Sequence, residues 1–134
     1  MYSNATDAEV FLTAGLRNPL KGGFEVLDGN PVNGIGRSFV SWNWVANGGV
    51  TSTNTDGSQT STVQVNQTAG FSIVQGKYFD GTLGHGLSQT PEWILYKEIS
   101  PNTNNWFVWH KELTSSNYYL WLNSTNAQAN YGST

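Results

Sequence analysis

Trp106-Phe107-Val108-Trp109-His110 sets large side chains on both sides of one extended segment. Successive side chains of a strand point to opposite faces, so Phe107 and Trp109 share one face while Trp106 and His110 share the other. A ribbon that is apolar on both sides needs a core against one face. The other must be covered by a second layer, a partner subunit or a ligand. Three more runs repeat the pattern: Phe39-Val40-Ser41-Trp42-Asn43-Trp44, Trp93-Ile94-Leu95-Tyr96 and Tyr118-Tyr119-Leu120-Trp121-Leu122. Aromatic and β-branched residues at a period of two favour strands, and helical periodicity is almost absent. The chain reads as all-β.

Turn signals separate these runs at Gly22-Gly23, Asp28-Gly29, Asn33-Gly34, Asn47-Gly48-Gly49, Asp56-Gly57, Asp80-Gly81 and Gly84-His85-Gly86. Asp-Gly and Asn-Gly suit turns because both residues tolerate positive φ. Strands are expected at about 9–13, 24–27, 37–45, 61–66, 70–79, 93–98, 106–112 and 118–123. Short strands at this spacing build a sandwich or a barrel. Pro91 and Pro101 bracket the Trp93 strand, where a missing N–H harms no ladder. The polar stretch 52–68 reads as a hairpin turning at Asp56-Gly57 rather than a linker, because alternating Val63 and Val65 suit a solvated edge strand. Residues 123–134 are polar and show no apolar anchor, so this tail is expected to be loose or to continue into something further.

The chain has 134 residues, six tryptophans, no cysteine, 11% charged residues and a net charge of −3. That length suits a single domain able to fold without staples. The absence of cysteine removes disulfides, thiolate chemistry and cysteine-ligated zinc together. No basic run attracts a phosphate backbone, which argues against nucleic acid as a partner. No apolar stretch reaches transmembrane length, and no charged-then-apolar signal segment opens the sequence, so no membrane partner is expected.

Catalytic chemistry finds little support. The two histidines are His85, between glycines, and His110, at a strand end. A zinc site would need both plus carboxylates, and their spacing does not bring these together. They read instead as a turn residue and a strand-end hydrogen bonder. Glu92, Glu98 and Glu112 lie near aromatic strands, where paired carboxylates might be sought for glycoside hydrolysis. Each sits where a strand meets a loop, as solvated charges do. Asp28, Asp56 and Asp80 each precede glycine and fit turns better than calcium loops. Neither a nucleophile elbow nor a phosphate-binding glycine loop occurs. The expectation is a non-enzyme with no cofactor, no metal and no catalytic residue. The aromatics are the functional candidates, since exposed Trp and Tyr rings stack on sugars and fill interfaces. Trp106, Trp109, Tyr118 and Trp121 are the expected ligand or interface contacts.

An ordered string of motifs then carries a family resemblance. Phe39-Val40-Ser41-Trp42-Asn43-Trp44 is followed by Ser52-Thr53-Asn54-Thr55-Asp56-Gly57-Ser58 and Thr68-Ala69-Gly70-Phe71-Ser72-Ile73-Val74. Next come Gly84-His85-Gly86-Leu87, Thr90-Pro91-Glu92-Trp93-Ile94-Leu95-Tyr96-Lys97, Asn105-Trp106-Phe107-Val108-Trp109-His110-Lys111 and Tyr119-Leu120-Trp121-Leu122-Asn123. Across 23–127 this resembles a repeat of virion appendage proteins of tailed phages. The resemblance implies a concanavalin-like jelly-roll β-sandwich in one domain, 23–134, preceded by an N-terminal arm or docking segment, 1–22. It implies a structural or adhesive virion protein of tail-fibre or appendage type, and brings no catalytic residues.

The expected partners are other virion proteins, in a homo-oligomer such as a trimer, together with a host surface glycan. A capsid decoration protein is the alternative within the virion, and a carbohydrate-binding module of a hydrolase is the alternative outside it. In one respect the order departs from the family's: the segment resembling 23–44 commonly follows the one resembling 106–123, whereas here it precedes it. A slice across two repeats, a permuted sandwich or strand exchange between subunits would each explain that order.

Overall fold

The computed structural model of the chain describes residues 6, 15–27, 34–77, 80–99 and 104–132. The strands are β1 (Leu16–Leu20), β2 (Gly23–Val26), β3 (Ser52–Asn54), β4 (Ser61–Asn66), β5 (Phe71–Gln75), β6 (Trp93–Tyr96), β7 (Phe107–His110), β8 (Tyr118–Trp121) and β9 (Ala129–Asn130). Among the described residues they form three antiparallel sheets, ordered β1-β2, β3-β4-β5 and β6-β7-β8-β9. The helical content of the described residues is a single 3-10 turn at Asn47–Gly49. The protein is all-β, as its alternation predicts. Backbone contacts group it into two compact units, Met1–Ser41 with Trp93–Thr134, and Trp42–Glu92.

In the first unit, β1 and β2 form a hairpin closed at Lys21-Gly22, where the Gly22 N–H donates to the Leu20 carbonyl at 2.8 Å. The expected boundary between arm and sandwich falls at that turn. The register slips between Arg17 and Pro19, with Asn18 in the left-handed region at φ 47°. Asn tolerates that conformation better than most residues, and a bulge uses it to turn its side chain. The Asn18 amide thereby donates to the Glu25 carboxylate at 2.6 Å, beside the Arg17–Glu25 ion pair at 2.8 Å.

The four-stranded sheet of the same unit follows the aromatic runs closely. Trp93 pairs with His110, Tyr96 with Phe107, and Phe107 in turn with Trp121. The tail corrects the sequence reading, because 129–130 adds the strand β9 alongside β8, with Tyr118 opposite Asn130 and Tyr119 opposite Ala129. The Gln128 amide donates to the Thr114 hydroxyl at 2.7 Å and accepts from the Thr114 N–H at 3.3 Å. Beyond β9, the Tyr131 N–H donates to the Asn117 carbonyl at 3.1 Å. These bonds hold a segment whose composition is almost wholly polar.

The second unit contains the hairpin expected at 52–68, with β3 against β4 and Asp56-Gly57 in the connection. β5 follows on the other side of β4, Val63 opposite Val74, so the strand expected at a solvated edge is instead the middle strand of the sheet. One face of this sheet is crossed by a strap. Ser58 and Thr82 exchange bonds at 3.0 and 2.9 Å, and the Ser61 hydroxyl donates to the Gly84 carbonyl at 2.8 Å. The Gln67 amide closes it, donating to the Gly86 carbonyl at 2.6 Å and accepting from the Ser88 N–H at 3.1 Å. Val63 is 3% exposed, at the centre of this unit's small core. Gly86 is required there: its φ is +72°, and a Cβ would stand 2.7 Å from Val65 Cγ2.

The segment 37–45 is the second correction. It pairs with no strand among the described residues and takes no regular secondary structure. Its alternation suits a strand, yet a ladder also needs a partner edge in register. Side chains anchor its end instead: Trp44 stacks on Phe71 at 5.7 Å and 11°, and the Asn66 amide donates to the Val45 carbonyl at 2.8 Å. The expected strands at 70–79, 93–98, 106–112 and 118–123 are each present but shorter, and the one at 9–13 lies outside the described residues.

Candidate functional site

Register sorts the aromatics of the β6-β7-β8-β9 sheet into two faces. Directly paired residues share a face, as do residues two apart on one strand. Tyr96, Phe107 and Trp121 therefore lie together, with Trp109 and Tyr119 on the same side. The opposite face carries Leu95, Val108, Leu120 and Tyr118, and Val108 is buried at 8% exposure. Continuing the alternation places Trp106 there as well. Its N–H donates to the Asn123 side-chain oxygen at 3.0 Å, and its carbonyl accepts from the Leu122 N–H at 3.0 Å.

The expected contact residues thus divide between two surfaces. Trp109 and Trp121 belong to the aromatic face; Trp106 and Tyr118 belong to the side holding buried Val108. The structure brings other rings to Trp121. Phe107 stacks on Tyr119 at 4.8 Å and 24°, while Trp121 meets both edge-on, at 5.7 Å from Phe107 and 4.8 Å from Tyr119. Tyr131 completes the group at 4.6 Å from Tyr119 and 5.6 Å from Phe107. Offset and edge-to-face contacts of this kind match the positive rim of one ring to the negative face of another. Phe107, Tyr119 and Tyr131 join this surface beside the expected contacts. The parity of the runs already placed the first two beside Trp109 and Trp121, whereas Tyr131 gave no local signal.

This surface is open and uncharged. Tyr131 is 67% exposed and Tyr96 55%, and no strand position on the face is acidic or basic. Burial raises the Tyr131 phenol pKa, and the neighbouring Tyr119 and Tyr96 add to the shift. The phenol consequently stays neutral, and able to donate, to higher pH than an ordinary tyrosine.

A family model described as a domain of unknown function, DUF7483, matches residues 1–134. The chain belongs to that family. No curated protein and no solved structure matches it. In this DUF7483 chain the polar candidates have local tasks. His85 Nδ1 accepts from the Leu87 N–H at 3.0 Å, and His110 Nδ1 from the Glu112 N–H at 3.1 Å. Each histidine therefore caps its own turn, as read from sequence. The Glu98 carboxylate accepts from the Asn104 amide, and Asp56 from the Asn54 amide at 2.9 Å. Among the described residues no three His, Asp or Glu side chains converge to hold a metal ion. Asp28 lies outside the described residues.

Proposed function

We propose that this chain is a structural and adhesive virion module of a tailed phage, of tail-fibre or appendage type. In that reading its aromatic β6-β9 face is the surface that another copy of the chain covers. The proposal includes the lectin-like jelly-roll sandwich, which short antiparallel strands and the motif order support. One observation carries the assembly reading: Tyr96, Phe107, Trp109, Tyr119, Trp121 and Tyr131 share one uncharged sheet face, with Tyr96 and Tyr131 more than half exposed. Large contiguous apolar patches are unusual on monomers and mark interaction sites. Aromatic side chains are enriched at the centres of such interfaces, where charge is depleted. Without charge, identical copies meet with no like-charge repulsion, so a symmetric homo-oligomer is the occupant that fits best.

Sedimentation of the purified chain tests this reading. The expected result is a homo-oligomer that Trp121→Ser and Phe107→Ser convert to a folded monomer. A wild-type monomer at every concentration would reject it. Binding of that monomer to purified capsids would favour the decoration alternative.

A further inference from the structure

We infer a binding site for neutral saccharide on the second unit, on the β3-β4-β5 face opposite the strap. It is independent of the assembly surface. Pairing sets Thr53, Thr62 and Gln75 side by side, then Gln64 with Ile73, then Asn66 with Phe71. Thr51, Thr62, Val63, Gln64, Ile73 and Gln75 line a hollow of about 240 Å³. Trp44 lies over the Phe71 end, nearly parallel to that ring at 11°, and 57% of the residue stays exposed.

The chemistry of this surface selects a class of ligand. A pyranose has C–H faces that rest on an aromatic ring and a rim of hydroxyls that each donate and accept. Trp44 offers a large apolar plate with few rotamers to freeze. The Gln64 and Gln75 amides each supply one acceptor and two donors, and the threonine hydroxyls do both. Among the described residues, the Gln64 and Gln75 side chains make no hydrogen bond, so a ligand displaces only water from them. No strand position on this face carries a charge, so an anionic ligand finds no counter-ion there. Adjacent pairs on one face are roughly 7 Å apart along the strand. A di- or trisaccharide is long enough to reach from Trp44 to the amides.

The test is a printed array of neutral and acidic oligosaccharides, followed by calorimetric titration of the strongest neutral hit into the full chain. At least one neutral oligosaccharide should be retained. Trp44→Ala should weaken it roughly tenfold or more, about 1.4 kcal/mol. The double variant Gln64→Ala/Gln75→Ala should weaken it severalfold, and Lys21→Ala, on the β1-β2 turn of the first unit, should not. If Trp44→Ala fails to fold by circular dichroism, half-buried Gln64 and exposed Gln75 still decide the matter. Retention of no neutral oligosaccharide, or binding indifferent to both Trp44 and the glutamines, overturns the inference. A wild-type oligomer that retains no saccharide rejects this site alone; a wild-type monomer that still binds saccharide rejects only the assembly reading.

Discussion

Tyr131 packs against Tyr119 with ring centroids 4.6 Å apart at 40°, tying the end of the chain to the middle of its four-stranded sheet. The contact extends an aromatic group built on β7 and β8, and it coincides with the short strand β9 that precedes it.

Tyr131→Ala should lower stability by about 1–2 kcal/mol, since each ring pair is worth about 0.5–1.5 kcal/mol beyond burial. Urea unfolding followed by tryptophan fluorescence gives the number. Tyr131→Phe should preserve most of it. An unchanged midpoint for the alanine variant would show that the Tyr131 ring contributes nothing by packing on Tyr119.

Alkaline pH should loosen the same cluster. Because the folded phenol of Tyr131 titrates above its ordinary value, its contribution is complete below the unfolded tyrosine pKa of about 10 and lost as pH rises through the folded value. Solvent screening at so exposed a residue keeps the effect small. Phenolate absorbance should show one late-titrating tyrosine that Tyr131→Phe removes.

Acid should act on the hairpin instead. Hydrogen bonds from Arg17 and then Asn18 hold the Glu25 carboxyl below its usual range. Its contribution is therefore present above the unfolded value of about 4.3 and lost as pH falls through the lowered folded value. Carboxyl NMR titration should find the Glu25 pKa returning upward in Arg17→Ala. An identical curve in that variant would mean the pair does not persist in solution.

The strap in the second unit should be sensitive at two points. Ser61 is 2% exposed, and Ser61→Ala leaves the Gly84 carbonyl without its donor, a loss of about 1–3 kcal/mol. Gly86→Ala forces a left-handed residue against Val65 and should cost on the order of 1–3 kcal/mol. Thermal unfolding compares the two, and wild-type stability in both would mean the strap is not held as described.

β4 is legible in the sequence through alternating Val63 and Val65, and β6, β7 and β8 through short runs of aromatic and aliphatic residues bounded by turn-forming or polar segments. The hairpin at 52–68 was legible through Val63, Val65 and the Asp56-Gly57 turn. The segment 37–45 shows where such reading stops. Its alternation is as clear as any, but Trp44 found Phe71 and Val45 found Asn66, while no strand edge among the described residues took up the ladder.

From residue order come the all-β class, the turn positions and the pairing of Trp109 with Phe107 on one strand face, because each depends on φ/ψ preference and on the two-residue repeat of a single strand. Only the tertiary structure decided that Trp121 joins Phe107 and Tyr131, that Trp106 and Tyr118 belong to the other side, and that Trp44 lies on Phe71. Those outcomes depend on register and on contacts between residues far apart in the chain. Neither leaves a trace in the local pattern of any one segment.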